Sequence, residues 1–294
     1  MFGGRLTLLC AEGHPEFLFD DLRLARRIVF PVSSKNGVRE FDAEALAKQV
    51  GLCDLFISLV PWISNSLLRL ARYLAPSPSA GFFPDYTVQV GNDCKHAAHT
   101  AFDVVRYFEP DFRFEDFTAP PCYPSACLDT GRRIRGMLPR DARVLAVHAD
   151  TSPEKMWSSE RFIAALDLFL ERHHEFFVFL VGWTPQALDR GSHGDRVISA
   201  YHLPFDAMCA LVASADLFLG VDSCMLHLAD LELIPSVGLF GQTRAAEFGF
   251  MVGPNVTLQS TGGMDMISHR RVALALESLL SNPIQSAVWM IEDP

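Results

Sequence analysis

The sequence predicts an α/β fold with a mainly parallel sheet, divided into two domains. Three observations carry this. Short apolar runs of strand length alternate with segments of helical periodicity, the pattern of a parallel sheet whose crossovers are helices. Two of those apolar runs, in the C-terminal half, pass directly into polar loops that open helices. The chain of 294 residues, 49% hydrophobic and 20% charged, is long and apolar enough for two ordinary cores.

Leu6–Cys10 and Arg26–Val32 are apolar runs bounded by polar loops and read as strands. Asp42–Gly51 reads as a helix with an acidic cap and a glycine stop, Leu55–Val60 as a strand, and Ser64–Tyr73 as a serine-capped helix. The Pro and Ser residues of 75–80 mark a turn-rich loop, and His96–Phe108 reads as a helix that must end before Pro110. Asp20-Asp21 reads as a cap on the segment that follows. Phe117–Pro124 is aromatic and proline-rich, which makes it the linker and sets the domains at 1–124 and 125–294. The second domain starts with a basic helical segment, Asp129–Leu138, then the strand Val144–His148. The helix Ser159–Arg172 follows, with Phe162, Ala165, Leu166, Phe169 and Leu170 on one face. The next strands are Phe177–Val181 and Val197–Ala200, then the helix Phe205–Ala213 and the strand Leu217–Val221. Asp222-Ser223 caps a short helix carrying His227, and the strand Pro235–Phe240 ends in Gly241-Gln242-Thr243.

The chemistry concentrates where these last strands end. In an open α/β sheet ligands bind beyond the carboxyl ends of the strands, and a helix N-terminus there offers unpaired N–H groups to an anion. Thr151 and Ser152 supply hydroxyls and Lys155 a cation after one strand; Asp222, Ser223, His227 and Thr243 follow the other two. Such a set suits a phosphorylated, hydroxyl-rich ligand. The plain alternatives are a capping Asp with a half-buried His, a solvated Lys155, and Trp157 as a core aromatic.

Together, His148-Ala149-Asp150-Thr151 with Lys155-Met156-Trp157, and Asp222-Ser223-Cys224-Met225-Leu226-His227-Leu228-Ala229 followed by Gly241-Gln242-Thr243, resemble the lipopolysaccharide heptosyltransferases of glycosyltransferase family 9. That family carries strand–HPG or HAT, K-x-W, D-T-G-x-x-H-L-A and G-P-T in the same order. The resemblance implies a GT-B fold, two doubly wound Rossmann-like domains facing a cleft. The first domain lies on the acceptor side, and the second holds a nucleoside-diphosphate sugar, typically ADP-heptose. It implies that Thr151, Ser152, Lys155, Asp222, Ser223, Cys224, His227 and Thr243 bind the donor, and that transfer to a hydroxyl acceptor is inverting and needs no metal or other cofactor.

Three positions and one missing loop depart from the family pattern. Asp150 sets a negative charge beside the expected diphosphate, Cys224 stands for Gly, and Gln242 for Pro. No G-D-x-x-x-x-x-P loop occurs, so the family's base is missing, and the first strand resembles the family's second, as in a shortened or divergent N-terminus. Glu12, in Glu12-Gly13-His14 at the end of that strand, is the candidate for a replacement base, the plain alternative being an exposed loop pair; with Lys155 it makes up the catalytic candidates. The competing reading is a non-catalytic nucleotide-sugar-binding or partner subunit.

The charge narrows the partners. Residues 1–140 are balanced, whereas the rest carries the whole net charge of −10, without a basic stripe. That counts against nucleic acid and anionic membrane surfaces as partners and leaves a small-molecule or protein acceptor. No apolar run approaches a membrane span, and the opening residues lack a basic n-region followed by an apolar stretch, so secretion is not expected. Seven scattered cysteines suit a reducing cytoplasm. Cys94, His96, His99, Cys122 and Cys127 lack the spacing of a zinc site, so no metal is expected.

Overall fold

The computed structural model describes residues 4–13, 16–35, 38–61, 64–75, 77–91, 96–282, 284 and 286–291. Two compact units divide the chain, Met1–Phe117 and Thr118–Pro294. The sequence set this boundary at 124/125, at the far end of the linker. Tyr123 ties that stretch to the second unit, its hydroxyl donating to Glu232 Oε1 at 2.5 Å.

In the first unit β1 (Leu6–Ala11) runs parallel to β2 (Leu24–Phe30), with Ala11 opposite Phe30. The short segment Glu16–Phe19 between them ends with Asp20 N–H bonded to Phe17 O, so Asp20 closes a turn and caps no α-helix, against expectation. β3 (Ser33–Lys35) and β4 (Val38–Glu40) form an antiparallel hairpin. α1 (Ala43–Val50) is capped by Asp42. β5 (Phe56–Ile57), β6 (Ser79–Gly81) and β7 (Val88–Gln89) make a parallel trio, with α2 (Asn65–Tyr73), capped by Ser64, crossing between the first two. The strand expected over Leu55–Val60 is shorter, pairing with β6 only at Phe56 and Ile57. α1 and α2 bury Leu46 and Leu70 against Ile28, Phe56 and Tyr86. α3 (Ala97–Phe108) starts at His96, whose Nδ1 accepts the Ala98 N–H.

The second unit opens with α4 (Ser125–Arg135), which begins before the expected Asp129. The next elements are β8 (Arg143–His148), α5 (Ser159–Arg172), β9 (Phe176–Gly182), β10 (Val197–Tyr201) and α6 (Phe205–Ala213). They are followed by β11 (Leu217–Val221), α7 (Cys224–Leu231), β12 (Ser236–Phe240) and the short α8 (Ala245–Phe248). β13 (Asn255–Ser260), α9 (His269–Ser281) and β14 (Ser286–Ile291) fill a region the sequence reading left unassigned. The seven strands form one parallel sheet in the order β10-β9-β8-β11-β12-β13-β14.

Leu145, Val147, Leu180, Leu217 and Leu219 pack with the apolar faces of α5 and α9. The intervening Val144, Ala146, Phe179 and Phe218 are equally buried, so both faces of the sheet are covered and its strands read as continuous apolar runs. Trp157 is a core aromatic whose Nε1–H donates to Ile267 O at 3.0 Å, pinning the loop after β8 to the approach to α9. The chain order reverses between β8 and β11: from that junction β9 and β10 extend one way, β12 to β14 the other. Such a switch point leaves a crevice beyond the carboxyl ends of its two central strands.

Candidate functional site

The loops after β8 and β11 meet at this crevice. Lys155 Nζ donates to Asp222 Oδ2 at 2.7 Å, and Thr151 Oγ1 donates to the backbone carbonyl of Asp222 at 3.0 Å. Asp222 is only 6% exposed, so its carboxylate depends on the lysine for compensation. Lys155 is partly open to solvent and, with three N–H donors, can serve Asp222 and an anion together.

The expectation that Asp222-Ser223 caps α7 fails. Ser223 occupies the cap position, but its side chain makes no capping bond, and the Asp222 carboxylate is drawn to Lys155 instead. The first turn of α7 thus has no side-chain cap from Ser223, and its Leu226 N–H turns back to the Ser223 carbonyl at 3.2 Å. Ser223 Oγ is buried without a hydrogen-bond partner among the described residues, and so are His148 Nε2, Thr243 Oγ1 and Ser260 Oγ. These four atoms belong to the carboxyl ends of β8, β11, β12 and β13, adjacent strands of the sheet. Buried polar atoms are nearly always hydrogen-bonded, and a row of orphans along one sheet edge has the form of a site prepared for a polar ligand.

His148 shows the required polarity. Its Nδ1 lies 2.8 Å from the Val181 carbonyl, which can only accept, so the proton sits on Nδ1 and Nε2 is a bare acceptor. Burial holds the imidazole below its ordinary pKa of 6.5 and therefore neutral. Since the folded state resists a proton that the unfolded chain takes up, this stability is complete above pH 6.5 and is lost as pH falls below it. Denaturant unfolding at pH 5.5 and 7 is expected to show lower stability at the lower pH, and His148→Asn to reduce the difference. An unchanged difference in the variant would mean that another group titrates.

Asp150 does not project its charge freely as expected. Its Oδ2 accepts the N–H groups of Trp183 and Thr184, both at 2.9 Å, and so shapes the loop after β9. Trp183, half exposed, stacks on Phe205 with planes 8° apart and stands edge-on to His148. The Ser152 hydroxyl donates to Glu154 Oε1 at 2.6 Å and is engaged locally, unlike that of Ser223. Cys224 is exposed at the first position of α7, and His227 lies one turn further along the same helix. The structure therefore brings Thr151, Lys155, Asp222 and Ser223 to one crevice and sets Thr243 at the next strand end.

Glu12 belongs to the first unit. It is exposed just beyond β1, its N–H donating to Phe30 O at 2.9 Å; its expected partner His14 lies outside the described residues. Among the described residues no three His, Cys, Asp or Glu gather into a metal-binding group, and Cys94 lies outside them. Likewise, no helix there is long and apolar enough to cross a membrane. The sequence reading missed His148, quoted only as part of a motif, and Trp183, an aromatic directly after an apolar strand. It also missed Gln259, for which no local signal exists.

Comparison with known proteins agrees with this geometry. No curated protein matches the chain by sequence. A glycosyltransferase family 9 protein from Veillonella parvula superposes with a TM-score of 0.75 at 18% identity, covering 94% of this chain and 88% of its own. E. coli ADP-heptose lps heptosyltransferase II gives 0.66 at 12% identity, with 96% and 91% covered. E. coli heptosyltransferase WaaC, solved with ADP, gives 0.59 at 13% identity, with 93% and 99% covered. At such identities the likeness establishes the fold, α/β of the GT-B type. The sequence pattern of glycosyltransferase family 9 (heptosyltransferase) matches residues 46–271, most of the chain, and the protein belongs to that family.

Proposed function

We propose that the second unit binds a nucleoside-diphosphate sugar of the ADP-heptose type and that the protein transfers the sugar to a hydroxyl of a small-molecule or protein acceptor, with inversion and without a metal. The observation that carries this is the Lys155–Asp222 pair at the switch point, flanked by unpartnered polar atoms at adjacent strand ends. WaaC was solved with ADP, which supports a nucleoside diphosphate as the common element.

Lys155 and the uncapped start of α7 face the diphosphate, where negative charge grows as the glycosidic bond breaks, and stabilise it electrostatically. Ser223 and Thr243 donate their free hydroxyl protons to phosphate oxygens, and His148 Nε2 accepts from a ligand hydroxyl. Asp222 accepts hydroxyls of the sugar. The indole of Trp183 offers the flat face on which a nucleobase stacks. The acceptor oxygen attacks the anomeric carbon opposite the diphosphate; its proton passes to Glu12, and the bonding pair leaves with the diphosphate.

A thermal-shift panel of ADP-, UDP- and GDP-sugars tests the reading, because a ligand that binds only the native state raises Tm. The ADP-sugar is expected to give the largest rise. Calorimetry of Lys155→Ala should show affinity weaker by roughly 10- to 100-fold, about 1–3 kcal/mol, the value of a charge-assisted hydrogen bond. No shift with any nucleotide sugar, or donor binding with neither transfer nor donor hydrolysis, overturns the proposal.

A further inference from the structure

The loop Gly241-Gln242-Thr243 lacks the constraint that a proline would give it, and its hydrogen bonding points to a replacement. Gln259 stands on β13 directly opposite Phe240, the last residue of β12, and is 8% exposed. Its Nε2 donates to Gly241 O at 3.0 Å and to Thr243 O at 3.3 Å, with the Phe240 and Ser260 carbonyls at 3.4 Å. Its Oε1 accepts the N–H of Ala245 at 2.7 Å. One buried amide thus grips the loop on both sides of Thr243, while Thr243 Oγ1 is buried and without a partner among the described residues. Because both ends of this nearly buried amide are spent on the loop, the loop conformation and the direction of the threonine hydroxyl are coupled to a single side chain.

We propose that Gln259 is a positioning residue for donor binding: by clamping Gly241–Ala245 it aims the Thr243 hydroxyl at the diphosphate. The inference rests on the proposed function and goes beyond it by assigning the work to a residue on a different strand that acts through the loop it holds. Gln259→Glu keeps the size and the bond from Ala245 but replaces the donor by a carboxylate facing carbonyl oxygens. Gln259→Asn keeps the amide but withdraws it by one methylene.

The test is a double-mutant cycle on ADP affinity by calorimetry, with circular dichroism and Tm confirming that each variant is folded. Thr243→Val is expected to weaken ADP binding about 10-fold, Gln259→Glu by a similar factor, and the two together by no more than either alone. Gln259→Asn should behave in the same way, and it stands in for Gln259→Glu should that variant not fold. Independent effects that multiply in the double variant make Gln259 merely structural and overturn the inference, while the proposed function stands. If the wild type binds no ADP, both fall. If it binds ADP but Thr243→Val has no effect, the assignment of Thr243 falls and the positioning role with it.

Discussion

Replacing Glu12 by glutamine is expected to slow sugar transfer by ~10²–10⁴-fold while donor affinity stays as in the wild type. Glutamine preserves shape and hydrogen bonding but cannot take the acceptor's proton, so the loss falls on kcat rather than on donor binding. The proposal of Glu12 follows from position: it stands at the carboxyl end of β1, the edge at which α/β sheets present reactive groups, and it is exposed. Its backbone N–H is anchored to Phe30 O, which fixes the start of the loop. Steady-state kinetics with matched calorimetry decides the matter. Turnover that survives in Glu12→Gln assigns the base to another carboxylate, and a joint loss of turnover and donor affinity points to a folding defect.

Asp230→Ala is expected to destabilise the second unit by about 3–5 kcal/mol. The Asp230 carboxylate is buried in α7 and accepts three consecutive backbone N–H groups, from Met251 at 2.7 Å, Val252 at 3.0 Å and Gly253 at 2.7 Å. Alanine removes the acceptor and leaves three donors without it, that of Gly253 buried. For a unit of this size the change corresponds to a fall in Tm on the order of 10 °C, and Asp230→Asn, which keeps one acceptor oxygen, should fall by about half as much. A Tm within about 2 °C of the wild type in Asp230→Ala would show that the loop finds other acceptors. Because α7 also opens the crevice, donor affinity measured well below Tm separates loss of stability from loss of the site.

Much of the architecture can be read directly from the chain. The helices at 159–172 and 205–213 and the strand at 217–221 coincide with expectation, because each combines an unbroken apolar pattern with clear boundaries. Where the pattern is short or interrupted the sequence misleads. β5 keeps two residues because its length depends on a partner strand far along the chain. β13 and β14 were not anticipated, and β13 carries Asn255, Thr257, Gln259 and Ser260 buried in a sheet, where a local reading expects exposed polar residues.

The site divides along the same line. The sequence by itself determined the residue types and their order: hydroxyls and a lysine after one strand, Asp-Ser before a helix, Gly-Gln-Thr after the next strand. Those follow from local periodicity and from the short distances over which caps and turns act. Only the tertiary structure decided what each group does. It paired Lys155 with Asp222 across 67 positions of chain, left Ser223 uncapping, turned Asp150 onto the Trp183 loop, and set Gln259 behind Thr243. A hydrogen bond is satisfied by whatever donor or acceptor the fold brings within about 3 Å, and in a parallel sheet those neighbours come from strands far apart in sequence.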